Sequence, residues 1–350
     1  MFPPREDAAW KLRRSLLQVT TAPQPVRPSR LLVILAFGVI YFIWGGTYLA
    51  IRFAVQTIPP FWLAGCRFLF AGSVLYLYVR VRGEPPPLRR RWLPATVVGA
   101  LLLVGGNAAL VWAEQRVPSG VAATILALIP LWMVLFDSLR PAGPRLTVRV
   151  VCGLFLGLAG VGILVGPAQL WGASRLDIFG SAVLMFSAMS WGAGSLASRS
   201  ASLPRSPFLA AAMEMVGGGA ILIVLGLVAE SHQLHWQAIS FRSVAGLLYL
   251  IAFGSLLSFT AYIWLLRFVS ASRVATYAYV NPVVAVFLGW AFGGEVVSAR
   301  ALLATAVIVA AVALILSPSR QTEPSAEHSK NRVAELLPSL QDETESNEGA

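Results

Sequence analysis

Two ionisable side chains stand where hydrocarbon is expected: Arg67 inside the apolar stretch 53–79, and Glu214 inside 206–229. A charge in such surroundings is costly, so each must pair, bond a neighbouring helix, or exchange a proton with a water-filled space. They lie 147 positions apart, and Trp44, Gly45, Arg52, Pro60, Phe61 and Gly72 recur at the same offset as Trp191, Gly192, Arg199, Pro207, Phe208 and Gly219. If the two stretches are helices entering from opposite faces, the charges sit about 10 Å from different faces and cannot bond each other. Glu114, ending the apolar run 92–113, is the acidic candidate for Arg67, in a pair that is either structural or able to release and bind a proton. Glu214 has only Ala210, Ala211, Gly217 and Gly218 on its own face. Its carboxyl is therefore the leading proton carrier, with a hydrogen bond to a neighbouring helix or snorkelling toward the cytosolic face as the alternative.

A second set of residues suits contact with an organic molecule. Tyr41, Trp44, Thr47 and Tyr48 form one stripe at helical spacing, and Ser187, Ser190, Trp191, Ser195 and Ser198 form another. Asn107 and Glu114 lie seven apart on one face; Ser255, Ser258 and Tyr262 follow in a later stretch. Ser272, Thr276 and Tyr279 share a face, with Tyr277 and Asn281 beside it. Polar groups in spans turn away from lipid, so these stripes predict a cavity. Trp44, Thr47, Tyr48, Asn107, Trp191, Ser195, Tyr262, Thr276, Tyr277 and Asn281 are the expected substrate contacts, since aromatic faces and a few amides hold organic molecules.

Catalytic and metal constellations are not evident. A membrane-embedded enzyme needs acids, His or Cys converging near one face, and no span pairs His or Asp. His232 and His235 lack a third ligand, and Cys66 and Cys152 sit in apolar runs without metal-binding spacing. No metal and no cofactor are expected. Glu295 has the position of a cap for the last span.

The elements that carry these residues follow from composition. Of 350 residues 57% are hydrophobic and 12% charged, and mean hydropathy is +0.72, too apolar for a surface in water. Runs 31–51, 53–79, 92–113, 117–136, 150–174, 178–198, 206–229, 243–266, 274–294 and 301–319 each approach the roughly 20 residues needed to cross a bilayer. The fold class is thus all-α, a polytopic membrane protein of ten spans. Trp112, Ala123, Thr124 and Pro130 recur 152 positions on as Trp264, Ala275, Thr276 and Pro282. With five spans, an odd number, the second unit must enter upside down, giving a 5+5 inverted repeat that commonly encloses a midplane site. The expected organisation is a basic N-terminal tail (1–30), a first repeat (31–166), a second repeat (167–318) and a disordered acidic tail (319–350). Pro130 and Pro282 remove a backbone donor inside equivalent spans, predicting a kink or hinge at each. The Gly153, Gly157, Gly160, Gly162 and Gly166 series has no polar partner and suits helix packing.

Net charge +11 does not point to nucleic acid, because the basic residues sit in short loops between spans. Arg80–Arg91, Arg140–Arg149, Arg199–Arg205 and Arg267–Arg273 share one side with the basic tail; the other has Arg52, Arg116, Arg175, Arg242 and Arg300. Both termini are therefore expected in the cytoplasm.

At Trp44-Gly-Gly-Thr-Tyr48, Arg67-Phe68, Val117-Pro-Ser-Gly120, Ala122-Ala123, Tyr277-Ala-Tyr-Val-Asn-Pro-Val-Val-Ala-Val286 and Gly293-Gly-Glu295 the chain resembles the EamA family of the drug/metabolite transporter superfamily, in particular its YedA-type inner-membrane exporters. The resemblance spans about residues 31–317. It implies a ten-helix carrier of the cytoplasmic membrane that moves amino acids, metabolites or drugs outward without a cofactor, often on the proton gradient. The expected partners are a small organic solute, the lipid bilayer and, where export is coupled, protons. The alternatives are a membrane-embedded enzyme and an assembly scaffold, which needs no aromatic and amide stripes.

Overall fold

The computed structural model describes residues 28–113, 115–116, 125–140, 147–165, 178–281, 283–284 and 299–316, and among these every regular element is helical. In chain order they are α1 (30–54), α2 (Pro60–Val81), α3 (Arg89–Ala113), α4 (Ile129–Ser138), α5 (Val148–Val165), α6 (Ile178–Ser200), α7 (Pro207–Ala229), α8 (Phe241–Phe268), α9 (Ala271–Val274, helical again at 277–281) and α10 (Ala299–Leu316). Six of them, α1, α2, α3, α6, α7 and α8, are long and apolar enough to cross a membrane; α4, α5 and α10 are shorter apolar helices.

Local chemistry sets the helix starts. Ser29, Ser206 and Ser240 accept from Leu32 N, Leu209 N and Ser243 N, satisfying amides that the first turn leaves open. At α2 the cap is remote: the Glu230 carboxylate, at the end of α7, accepts from Phe61 N (2.8 Å) and Trp62 N (3.2 Å). Negative charge at a helix N-terminus is favourable. The apolar run expected to begin at residue 53 is divided differently, because α1 continues to Ala54 and α2 starts at Pro60. Pro59-Pro60 forces that boundary, since the residue before a proline is pushed out of helical geometry.

The most extensive contact joins α2 and α7, and glycine makes it possible. A Cβ on Gly72 would lie 2.7 Å from Val216 N, and one on Gly219 would lie 2.5 Å from Leu69 N. The two contacts interchange under the 147-residue offset, since 72 + 147 = 219 and 69 + 147 = 216. On its other side α7 meets α3, where a Cβ on Gly218 would stand 2.8 Å from the Gly99 carbonyl. Three of the α5 glycines serve packing too: Gly153 and Gly160 face Ile315 and Ile308 of α10, and Gly157 faces the Tyr279 ring; Gly162 meets nothing, and Gly166 lies outside the described residues.

Three helices depart from α geometry in mid-span, which the apolar periodicity did not foretell. Val39–Ile43 in α1, Ala100–Ala108 in α3 and Leu250–Phe259 in α8 are π-helical. A π turn bonds each carbonyl one residue further along, and its ends leave carbonyls short of a partner. Pro130 also differs from expectation. It sits in the first turn of α4, after a break at 127–128, where its missing N–H is not needed, instead of kinking a continuous span. Pro282 lies outside the described residues.

The glycine contact predicts that Gly72→Ala, which forces two backbones apart, lowers stability by about 1–3 kcal/mol. Gly162→Ala, which meets nothing within 4 Å, should leave it unchanged or raised. Thermal unfolding of both variants in detergent checks the pair.

Candidate functional site

The π stretches surround the centre of the protein, and side chains from neighbouring helices collect the carbonyls there. Trp44, directly after the π stretch of α1, donates its indole N–H to Gly254 O (3.0 Å) in the π stretch of α8. Ser187 and Ser190 of α6 donate to Gly106 O (2.6 Å) and Leu101 O (2.8 Å) in the π stretch of α3. The Asn281 amide, with its nitrogen turned toward the acceptors around it, donates to Ile40 O (3.2 Å) and Tyr41 O (3.1 Å) in α1. Each bond ties one helix to another across the middle.

Four aromatic rings meet at the same place. Trp44 lies 5.8 Å from Trp191, 5.2 Å from Tyr262 and 5.0 Å from Tyr277, centroid to centroid. Trp191 and Tyr277 each lie 5.6 Å from Tyr262. These are tilted or edge-on pairs, the arrangement that ring quadrupoles favour. Polar handles fix the cluster: the Trp191 indole donates to Tyr262 Oη (3.0 Å), and Ser195 Oγ donates to Trp191 O (2.6 Å). Because the single Ser195 proton is then engaged, Tyr262 Oη donates to Ser195 Oγ across 2.5 Å.

Beside the rings lies a cavity whose space for water centres is about 80 Å³. One water needs roughly 10–15 Å³ on that measure, so several fit. Trp44, Thr47, Asn107, Trp191, Tyr277 and Asn281 line it, and Ile51, Phe68, Leu110, Leu126, Ile129 and Phe259 supply apolar wall. Arg67 lines it too, although it is only 4% exposed. Its Nε donates to Ser255 Oγ (2.7 Å), and its guanidinium carbon stands 4.6 Å from the Phe68 ring centre. Asn107 Oδ1 is buried with no hydrogen-bond partner among the described residues.

Of the ten expected substrate contacts, six line this cavity. Tyr262 and Ser195 stand behind it and hold Trp191. Thr276 is engaged elsewhere: it donates to Arg273 O (2.7 Å) and accepts from Tyr41 Oη (2.6 Å). The Tyr48 side chain, Glu114 and Glu295 lie outside the described residues. The expected pairing of Arg67 with Glu114 falls outside the described residues; among these, Arg67 Nε donates to Ser255 of α8, and the side chain borders the cavity. The presence of a charge in an apolar run was legible, whereas its direction depended on which helix packs against α2. Glu214 is fully buried away from the cavity lining. Its Oε1 accepts from Ser198 Oγ (3.0 Å), and Oε2 has no partner among the described residues. Arg267 at the end of α8 acts on Glu214 electrostatically, while its own terminal nitrogens donate to Pro204 O (2.9 Å) and Arg205 O (3.2 Å). A partner on another helix is invisible to a search within one span.

The sequence matches the EamA-like transporter family model over residues 31–166 and again over 178–317. The chain belongs to this family. It is a polytopic, helical membrane transporter. It is 38% identical over 281 residues to the "Uncharacterized inner membrane transporter YedA" of Escherichia coli K12, covering 80% of this chain and 89% of that one. It is also 26% identical over 304 residues to the "Uncharacterized transporter YvbV" of Bacillus subtilis, covering 85% and 95%. A solved structure titled only as the crystal structure of a protein superposes with a TM-score of 0.69 at 24% identity, over 84% of this chain and all of that one, and shares its fold. The two separate matches to one family model fall on either side of the short segment between α5 and α6.

The Tyr262 hydroxyl both accepts from Trp191 and donates to Ser195, so Tyr262→Phe should cost about 1–3 kcal/mol. Tyr279→Phe, which loses one long bond to Leu154 O (3.3 Å), should cost less. Thermal unfolding of the two variants side by side tests the ranking.

Proposed function

We propose that this chain is a secondary transporter of the cytoplasmic (inner) membrane that exports small organic metabolites, amino acids or drugs by alternating access. The observation that carries the proposal is the central cavity, walled by aromatic faces, two amides and a buried cation drawn from helices of both family matches. A pocket of that make-up at the meeting of two repeats suits a cargo that must be bound and then released. The location follows the printed name of the Escherichia coli relative. In this proposal ten spans form two five-helix halves, 31–166 and 167–318, of opposite orientation, with both tails in the cytoplasm. The interchangeable Gly72–Val216 and Gly219–Leu69 contacts support such a two-fold relation. Trp44, Thr47, Tyr48, Asn107, Trp191, Tyr277 and Asn281 contact cargo; Tyr262 and Ser195 position Trp191. Pro130 and Pro282 are hinges between the two open states. Glu214 carries the coupling proton: its one bonded oxygen leaves the other free to hold a proton when the carboxyl is neutral.

Proteoliposomes loaded with a panel of organic solutes should show saturable counterflow. Trp44→Ala and Asn281→Ala, inserted normally, should slow it by roughly tenfold or more, a loss of about 1.4 kcal/mol; unchanged flux would remove both residues from the site. Glu214→Gln should abolish accumulation driven by a pH gradient while sparing exchange at equal pH. If gradient-driven accumulation persists in that variant, the proton travels elsewhere.

A further inference from the structure

The cavity wall holds one cation, and its surroundings leave that charge uncompensated among the described residues. Arg67 has two of its faces occupied, Nε by Ser255 Oγ and one side of the guanidinium plane by Phe68. Its two terminal nitrogens have no hydrogen-bond acceptor among the described residues. Gly254 keeps the space beside them clear, since a Cβ there would lie 2.9 Å from Nη2. A guanidinium carries five N–H donors, and the four on the terminal nitrogens form the fork that takes a carboxylate through parallel bonds. A buried cation without a countercharge is costly, and the entry of an anion relieves that cost; a second cation would increase it. The rings of Trp44, Trp191 and Tyr277, with Leu126 and Ile129, offer an apolar wall in the same cavity for the remainder of a molecule.

We propose that the cargo is an organic acid whose carboxylate docks on the terminal nitrogens of Arg67 while its apolar or aromatic body lies against Trp44 and Tyr277. The assignment rests on the cavity being the transport site. Selection is by charge: organic acids are taken in preference to their neutral amides and to organic cations of the same shape. Ser255 is a positioning residue for the fork, and Phe68 backs the guanidinium plane from the cavity wall.

Three probes of one shape test this on the full-length protein in nanodiscs: 3-phenylpropanoate, 3-phenylpropanamide and 3-phenylpropylammonium, followed by quenching of tryptophan fluorescence. The acid should bind at least about tenfold more tightly than either of the others. Arg67→Gln should erase that preference, so that acid and amide bind alike, and Arg67→Lys should keep part of it, since a point charge remains without the fork. Equal affinities, a preference for the ammonium probe, or no saturable binding of any probe in the native protein would overturn the assignment, and so would an undiminished acid preference in a folded Arg67→Gln protein. The native comparison needs no variant, so it decides even where Arg67→Gln does not fold. Counterflow assays separate this inference from transport itself. Flux of neutral or cationic solutes without acid preference overturns the carboxylate subsite and leaves transport standing. Acid-selective binding without flux of any solute upholds the subsite and overturns transport.

Discussion

Inside hydrocarbon a backbone carbonyl without a partner has no water to turn to, so any departure from regular helix must be answered by another part of the protein. Three helices of this chain open into π turns, and the bonds from Trp44, Ser187, Ser190 and Asn281 all end on carbonyls within those turns. The polar residues of the interior are thus first of all the means by which irregular backbone is made tolerable. The same wide turns supply Gly106, Asn107, Gly254 and Phe259 to the cavity wall. Irregular backbone and cavity occur together because each makes room for the other.

Around this loosened centre stands a tightly packed frame. Gly72 and Gly219 bring α2 and α7 into backbone contact, and Gly99 with Gly218 extends that contact to α3. Interiors packed to this degree do not deform continuously; they hold one arrangement or switch to another. Two of the buried charges, Arg67 and Glu214, ride on the frame. Arg67 of α2 reaches α8 and the cavity, while Glu214 of α7 reaches Ser198 of α6 and stays out of the cavity lining. Both charges thus belong to the most extensively packed pair of helices.

The aromatic cluster joins frame and cavity. Tyr262 receives the Trp191 indole, bonds Ser195, and packs edge-on or tilted against three other rings. Trp44 repeats the pattern from α1, its indole spent on Gly254 O and its ring face left to the cavity. Large rings with their polar atoms already engaged give an apolar surface of fixed shape; in the proposed site, discrimination is left to polar atoms without a partner among the described residues, such as the Arg67 fork and Asn107 Oδ1.

The sequence by itself determined that the chain is helical and membrane-embedded, where most of its apolar runs lie, and that Trp44, Asn107, Trp191, Tyr277 and Asn281 turn inward. These properties follow from hydropathy and from the helical period, which are local. The helix boundaries at Pro59-Pro60 and the break before Pro130 are not legible in hydropathy, because an apolar run does not record where its backbone turns. Only the tertiary structure decided that Arg67 faces the cavity beside Ser255, that Thr276 is spent on Tyr41 and Arg273, and that Glu214 meets Ser198 under the influence of Arg267. Each of those facts depends on which helix lies next to which, and on side-chain bonds whose partners, apart from Arg273, stand 16 to 235 positions away along the chain. Periodicity tells a residue which way is inward; the neighbour it finds there is set by packing.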